Sequence, residues 1–221
     1  MSWSFESRHE PAAELHRRDP WARPGRSVTW CQPSGPAVVL GSTQPLEAAD
    51  AAACRRRGAE VVRRRTGGGA VLVEPAAIVW VDLVIGRDDP LWSADVGRAF
   101  LWVGAAFARA LGRVGVRGVV HPGPLRRGRW SAAVCFAGLG YGEVTVGGAK
   151  VLGLAQRRSR DAALFQCAVP LRWRPADLVA LLAEPRPAAA DLEGAALGLG
   201  EVAPAVTEAS VVEALLDALP A

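Results

Sequence analysis

A run of three glycines, Gly67-Gly68-Gly69, is the feature that most limits how this chain can fold. Glycine weakens the interior of a strand, so the chain is expected to turn there. On either side lie short runs with strand character, Glu60–Arg65 and Ala70–Val73, and the segment reads as strand, turn, strand. Residues without side chains also let the backbone come close to a ligand and aim N–H groups at it, as anion sites require. Arg63 and Arg64, followed by Thr66, would add charge-assisted donors for a phosphate or carboxylate. The competing reading is a tight hairpin with solvated arginines, and the triplet alone leaves that reading ahead.

Upstream, Pro11–Arg18 suits a short helix, Val28–Cys31 and Ala37–Leu40 suit strands around the Pro33-Ser34-Gly35-Pro36 turn, and Leu46–Arg57 suits a helix. Downstream, Ile78–Ile85 is apolar enough for a buried strand. Ser93 is an expected N-cap for a helix over Ala94–Leu111, where Val96, Phe100, Val103, Phe107 and Leu111 share one face. Val116–His121, Glu143–Val146, Ala149–Ala155 and Ala163–Leu171 read as strands, and Gly147-Gly148 as a two-residue hairpin turn. Pro175–Ala183 and Thr207–Leu219 read as helices. Hairpins mixed with helical crossovers predict an α+β fold, a mixed sheet with helices packed on one side. The expected organisation is an N-terminal segment over 1–27, a catalytic domain over 28–184, and a linker with a C-terminal helix over 185–221.

With 221 residues, half of them apolar, the chain can bury one full-sized core. Its N-terminus is interrupted by charges and proline before any long apolar run, so neither a signal peptide nor a membrane helix is expected, and a cytoplasmic location is. The net charge of +4 comes from arginine clusters, which suit phosphates or an acidic partner. No nucleic-acid recognition motif accompanies them, and no nucleic-acid partner is expected. Cys31, Cys54, Cys135 and Cys167 are scattered without metal-ligand spacing, so no metal site is signalled.

Lys150 is the single lysine in an arginine-biased chain, in Val146-Gly147-Gly148-Ala149-Lys150-Val151-Leu152-Gly153-Leu154-Ala155-Gln156. On a strand it can face a pocket, contributing a compact point charge there and little to packing. A solvated strand lysine is the plainer alternative. Asp82, alone in an apolar run, would need a partner such as an arginine if it faced inward. His9, His16 and His121 read as loose or structural rather than catalytic.

Together these segments resemble the lipoate-protein ligase A family of the biotin/lipoate ligase superfamily. The resemblance rests on Arg63-Arg64-Arg65-Thr66-Gly67-Gly68-Gly69-Ala70-Val71, on Lys150 through Gly153 to Gln156, and on Leu40-Gly41-Ser42-Thr43-Gln44, and it runs from Val28 to Leu171. It implies the biotin/lipoate ligase fold. It also implies lipoate or octanoate as substrate, ATP with Mg as cofactor, and attachment of the acid through an acyl-adenylate to a lysine of a lipoyl carrier domain. By the same resemblance Arg63, Arg64, Thr66, Gly67, Gly68, Gly69, Ala70, Val71, Gly153 and Gln156 bind the adenylate, and Lys150 offsets charge on its carboxyl and phosphate oxygens.

The chain departs from the family where Leu72-Val73-Glu74 and Ala76-Ala77 stand in place of a Tyr-His-Asp and a later Gly-Asn. Cys135, in Ala133-Val134-Cys135-Phe136, resembles the cysteine of the octanoyltransferase branches, which form a thioester instead of an adenylate and draw on an acyl-carrier protein. An isolated cysteine is otherwise a small buried apolar residue. The adenylate-forming ligase is the leading expectation, with a Cys135-dependent transferase and a non-catalytic binding module of the same fold as alternatives.

Overall fold

The computed structural model describes residues 2–21 and 25–221. Twelve strands are present among them: β1 Ser4–Glu10, β2 Ser27–Pro33, β3 Ala37–Leu40, β4 Glu60–Arg63, β5 Val71–Val73, β6 Ile78–Gly86, β7 Val119–Val120, β8 Arg126–Arg127, β9 Gly138–Leu139, β10 Val144–Val146, β11 Ala149–Arg158 and β12 Ala162–Pro170. The helices are α1 Ala12–Arg17, α2 Ala51–Arg57, α3 Phe100–Arg113, α4 Pro175–Val179, α5 Leu199–Val202 and α6 Glu208–Ala218.

A seven-stranded sheet runs in the order β1-β2-β6-β12-β11-β10-β7, and a three-stranded sheet in the order β4-β3-β5. Both are mixed: β1 pairs β2 in parallel, β3 pairs β4 in parallel, and β6, β11 and β12 pair antiparallel. Eight of the nine β6 residues are buried, which is why the run reads as almost continuously apolar: both its faces are covered. Val79, Val81, Leu83 and Ile85 pack with Val103, Phe107 and Leu111 of α3 and Val211 and Leu215 of α6 in the main core. Their neighbours Ile78, Trp80 and Asp82 fall on the opposite face of the strand, the side taken by the smaller sheet. The expected α+β architecture is therefore present, with α3 and α6 on one side of the large sheet and the short α1 on the other.

Both terminal segments pack onto the central part of the chain. Residues 1 and 22–24 of the N-terminal segment lie outside the described residues, but β1 pairs β2 residue by residue, from Ser4 opposite Ser27 to Glu10 opposite Pro33. At the other end α6 lies in the main core against α3. The alternation of polar residues in Ser4–Glu10 is that of an exposed edge strand, which carries little apolar signal.

Two helices start later than the sequence suggests, each for a local polar reason. Asp95 accepts from the N–H groups of Gly97 and Arg98, holding a turn that delays α3 to Phe100 and leaves Val96 exposed. Asp50 accepts from Ala52 and Ala53 as a true N-cap, so that a single 3₁₀ turn, Leu46–Ala48, precedes α2. The β10–β11 hairpin forms as expected, with Gly147 and Gly148 at φ +58° and +90° between paired Val146 and Ala149.

The loop that follows β9 is fitted to α3 by a glycine. A Cβ on Gly104 would fall 2.0 Å from the Gly142 carbonyl oxygen. Gly104→Ala is expected to cost about 1–3 kcal/mol by overpacking this contact. Thermal or denaturant unfolding checks it, and a variant as stable as the parent would show that the loop moves away freely.

Candidate active site

The β10–β11 hairpin carries Lys150 inward, where the residue is 3% exposed. Its Nζ lies 2.7 Å from Glu143 Oε1 and donates to the carbonyls of Cys135 and Gly138, each at 3.0 Å. An ammonium has three protons, and all three have acceptors. The Phe136 ring covers it at 5.1 Å. Glu143, also buried, accepts from the N–H groups of Gly140 and Leu154. Lys150 therefore contributes to packing far more than the strand position suggests, by pinning the segment from Cys135 to Glu143 onto β11.

The glycine loop is folded by Arg64. Its buried guanidinium donates to Val39 O at 3.1 Å, Gly67 O at 2.8 Å and Gly69 O at 2.9 Å. These bonds commit Nη1 and Nη2 of Arg64 to backbone carbonyls of β3 and of the glycine loop. Burial pulls the guanidinium below its ordinary pKa, and the nearby Cys135 partly restores it. None of the N–H groups of Gly67, Gly68 and Gly69 donates to a protein acceptor among the described residues.

Ala70 stitches this loop to the Cys135 segment, donating to Ala133 O at 2.8 Å and accepting from Cys135 N–H at 3.0 Å. Gln44 braces the same segment, donating to the Ala132 and Ala133 carbonyls. Gly68 separates the thiol from the guanidinium: a Cβ there would lie 2.9 Å from Arg64 Nη2 and 3.7 Å from Cys135 Sγ. Cys31, Cys54 and Cys167 are buried, whereas Cys135 is half-buried.

Two spaces meet at Cys135. One is an apolar tunnel of about 50 Å³ between the sheets, walled by Val39, Val71, Val73, Trp80 and Ala168. The other is an open cleft of about 490 Å³ lined by the three glycines, Arg127, Tyr141, Glu143, Lys150 and Gln156. Cys135 lines both.

The other expected binding residues divide among these places. Val71 and Gly153 line the tunnel, and Gln156 lines the cleft with its Nε2 unpartnered among the described residues. Thr66 is buried and donates to Gln166 Oε1 at 2.8 Å. Arg63 is exposed on β4 and lines neither space, because it alternates with buried Val62 and Arg64 along the strand. His121 is held by Pro124 O.

The family model for the lipoyl protein ligase A/B catalytic domain matches residues 15–219. The chain belongs to this family. The octanoyltransferase LipM of Moorella thermoacetica is 33% identical over 189 residues, covering 81% of this chain and 68% of that protein. Among solved structures, a bipartite lipoate protein ligase with its E2 lipoyl domain from Thermoplasma acidophilum aligns with a TM-score of 0.76 at 18% identity. That alignment covers 99% of this chain and 82% of the other. A lipoate-protein ligase A bound with ATP aligns at 0.74 with 19% identity, covering 99% and 84%. These likenesses establish an enzyme of the lipoate and octanoate ligase and transferase family with its α+β fold. No helix among the described residues is long and apolar enough to cross a membrane.

Within this family fold, several polar groups lie behind the tunnel. His16 stacks on Trp80 with centroids 4.5 Å apart, its Nδ1 3.4 Å from Gln166 Nε2. Asp82 accepts from Trp80 Nε1 at 2.8 Å and meets Arg18 at 3.3 Å, the arginine partner its position calls for. Burial holds His16 down at about 3, with the Arg64 charge adding to it. Burial pushes Asp82 up to about 6, against the pull of Arg18. Glu143 could have been found by counting across the Gly147-Gly148 turn, since Val144 pairs with Leu152 and the adjacent acid reaches β11.

The Lys150–Glu143 pair should behave as a buried ion pair. Lys150→Ala strands Glu143 and is expected to cost about 3–5 kcal/mol, while Lys150→Met combined with Glu143→Gln costs less than Lys150→Ala alone. Denaturant unfolding measures both, and a loss under about 1 kcal/mol for Lys150→Ala would refute the pinning role.

The two shifted groups act on stability with opposite signs. Unfolded His16, with an ordinary value of 6.5, binds a proton that the folded chain refuses until about 3, so its contribution is lost as pH falls through that window. Folded Asp82 keeps its proton to about 6 while the unfolded group releases it near 3.8, so its contribution falls as pH rises between them. His16→Gln should therefore narrow the stability gap between parent and variant as pH falls from about 7 to 4. Thermal melts across that range test the sign, and a widening gap would mean that the folded imidazole takes up the proton.

Proposed function

We propose that the chain is a cysteine-dependent acyltransferase that moves an octanoyl or lipoyl group from a carrier thioester, through Cys135, to a lysine of a lipoyl carrier domain. One observation carries this reading: Cys135 lines both the apolar tunnel and the neighbouring cleft. The tunnel accepts the acyl tail, and the cleft admits the carrier's thiol or the acceptor amine. The M. thermoacetica octanoyltransferase supports the same chemistry.

In the first step Cys135 sulfur attacks the donor thioester carbonyl. A new C–S bond forms, the old C–S bond breaks, and the thiol proton of Cys135 ends on the departing carrier thiol. In the second, the acceptor lysine's amine attacks the Cys135 thioester; the amide forms, and a proton from the amine returns to the cysteine sulfur. Arg64, across Gly68 from the sulfur, places a buried positive charge beside the reacting group. The N–H groups of Gly67 to Gly69 are available to the carbonyl oxygen as it gains charge. Lys150 acts here as a positioning residue, holding the Cys135 carbonyl and hence the loop.

The acyl-adenylate route asks for cations free to meet phosphate and for carboxylates free to hold Mg. Lys150 and Arg64 are both taken by protein acceptors. Glu143, the one carboxylate lining the cleft among the described residues, is taken by Lys150 and two N–H groups. Arg127 on the cleft lining remains an exposed cation, but with no carboxylate free on that lining among the described residues the donor set does not fit Mg, and no step is routed through Mg-ATP.

Incubation with an octanoyl-carrier thioester, without ATP, is expected to add one octanoyl mass that hydroxylamine removes. Cys135→Ser should lose this adduct and reduce transfer to a lipoyl domain by about 10³-fold or more. Transfer that requires ATP and survives Cys135→Ser would restore the adenylate reading.

A further inference from the structure

The tunnel has two inner boundaries besides its opening at Cys135. One is polar: His16 and Gln166 line both the tunnel and a small pocket behind it, and they belong to the linked hydrogen bonds of Thr66 and Asp82. An alkyl chain pushing that way would separate buried polar groups from their partners. The other boundary is apolar. Val71 and Phe136 line both the tunnel and a second cavity of about 250 Å³, so the partition is one layer of side chains.

Phe136 is 2% exposed and is fixed on three sides. Trp173 packs against it at 5.4 Å, Lys150 lies over its face, and a Cβ on Gly153 would approach its ring to 3.3 Å. A ring held this firmly cannot swing aside for a longer tail. Beyond it the cavity is mixed, with Leu72, Ile78 and Leu178 on the near apolar side and Arg57, Glu74, Arg172, Arg174 and Asp177 also on its lining.

Resting on the thioester reading, we propose that Phe136, with Val71, is the end wall that sets acyl length, and that thinning it joins the tunnel to the second cavity. Val71 does not take part in the contacts to Lys150, so it tests the wall separately from the pinning of Cys135.

The experiment uses the full chain with Phe136→Ala and Val71→Ala, each offered eight-carbon and twelve-carbon acyl-carrier thioesters. Intact mass gives the initial rate of adduct formation on Cys135. The parent is expected to favour the eight-carbon donor. Either variant should raise the ratio of twelve- to eight-carbon adduct by about tenfold or more, given the gain for each methylene that finds apolar room. An octanoyl adduct in the parent with an unchanged ratio in Val71→Ala would overturn the end wall alone. No adduct at any length in the parent would overturn the thioester reading and this proposal with it.

Discussion

The buried contact between Lys150 and Glu143 is the interaction on which the site depends. It ties β11 to the turn before β10, and through the Cys135 and Gly138 carbonyls it ties both to the segment carrying the thiol. Removing two charges from water is costly, and the pair is tolerable because nearly every lone pair and proton has a partner. The benefit is geometric: a loop with little regular structure is held as firmly as a strand.

A second layer of positioning comes from the small sheet. Arg64, projecting from the end of β4, gathers three carbonyls, and Gln44, from the end of β3, gathers two more. Both side chains donate to backbone carbonyls. The glycines that Arg64 folds are left with N–H groups uncommitted beside a sulfur, while the face between the sheets stays apolar. The apolar space and the cleft thus share Cys135, Leu154 and Ala155 in their linings.

Much of this was legible in the sequence. The strand runs, the Gly147-Gly148 turn and the Thr207 cap follow from local rules, and the glycine loop, Lys150 and Cys135 were recognisable as a set. What stayed hidden depends on long-range partners. Whether Lys150 meets a ligand or a carboxylate is decided by Glu143, seven residues away across a hairpin. Whether Arg63 or Arg64 faces inward is decided by strand register, which periodicity leaves open by one residue. β1 eluded detection because an edge strand exposed on one side has no apolar run, and His16 acquired its character only by stacking on Trp80.

The placement of Cys135 on the lining of both spaces also orders events in time. On the thioester reading the carrier that delivers the acyl group and the domain that collects it must reach the same sulfur, as through one doorway. They cannot stand in it together. Each visitor excludes the next until it has left, and the enzyme works by turns, with the loaded cysteine as the only memory of the first visit. The two partners are then rivals for one entrance, and an excess of either slows the cycle.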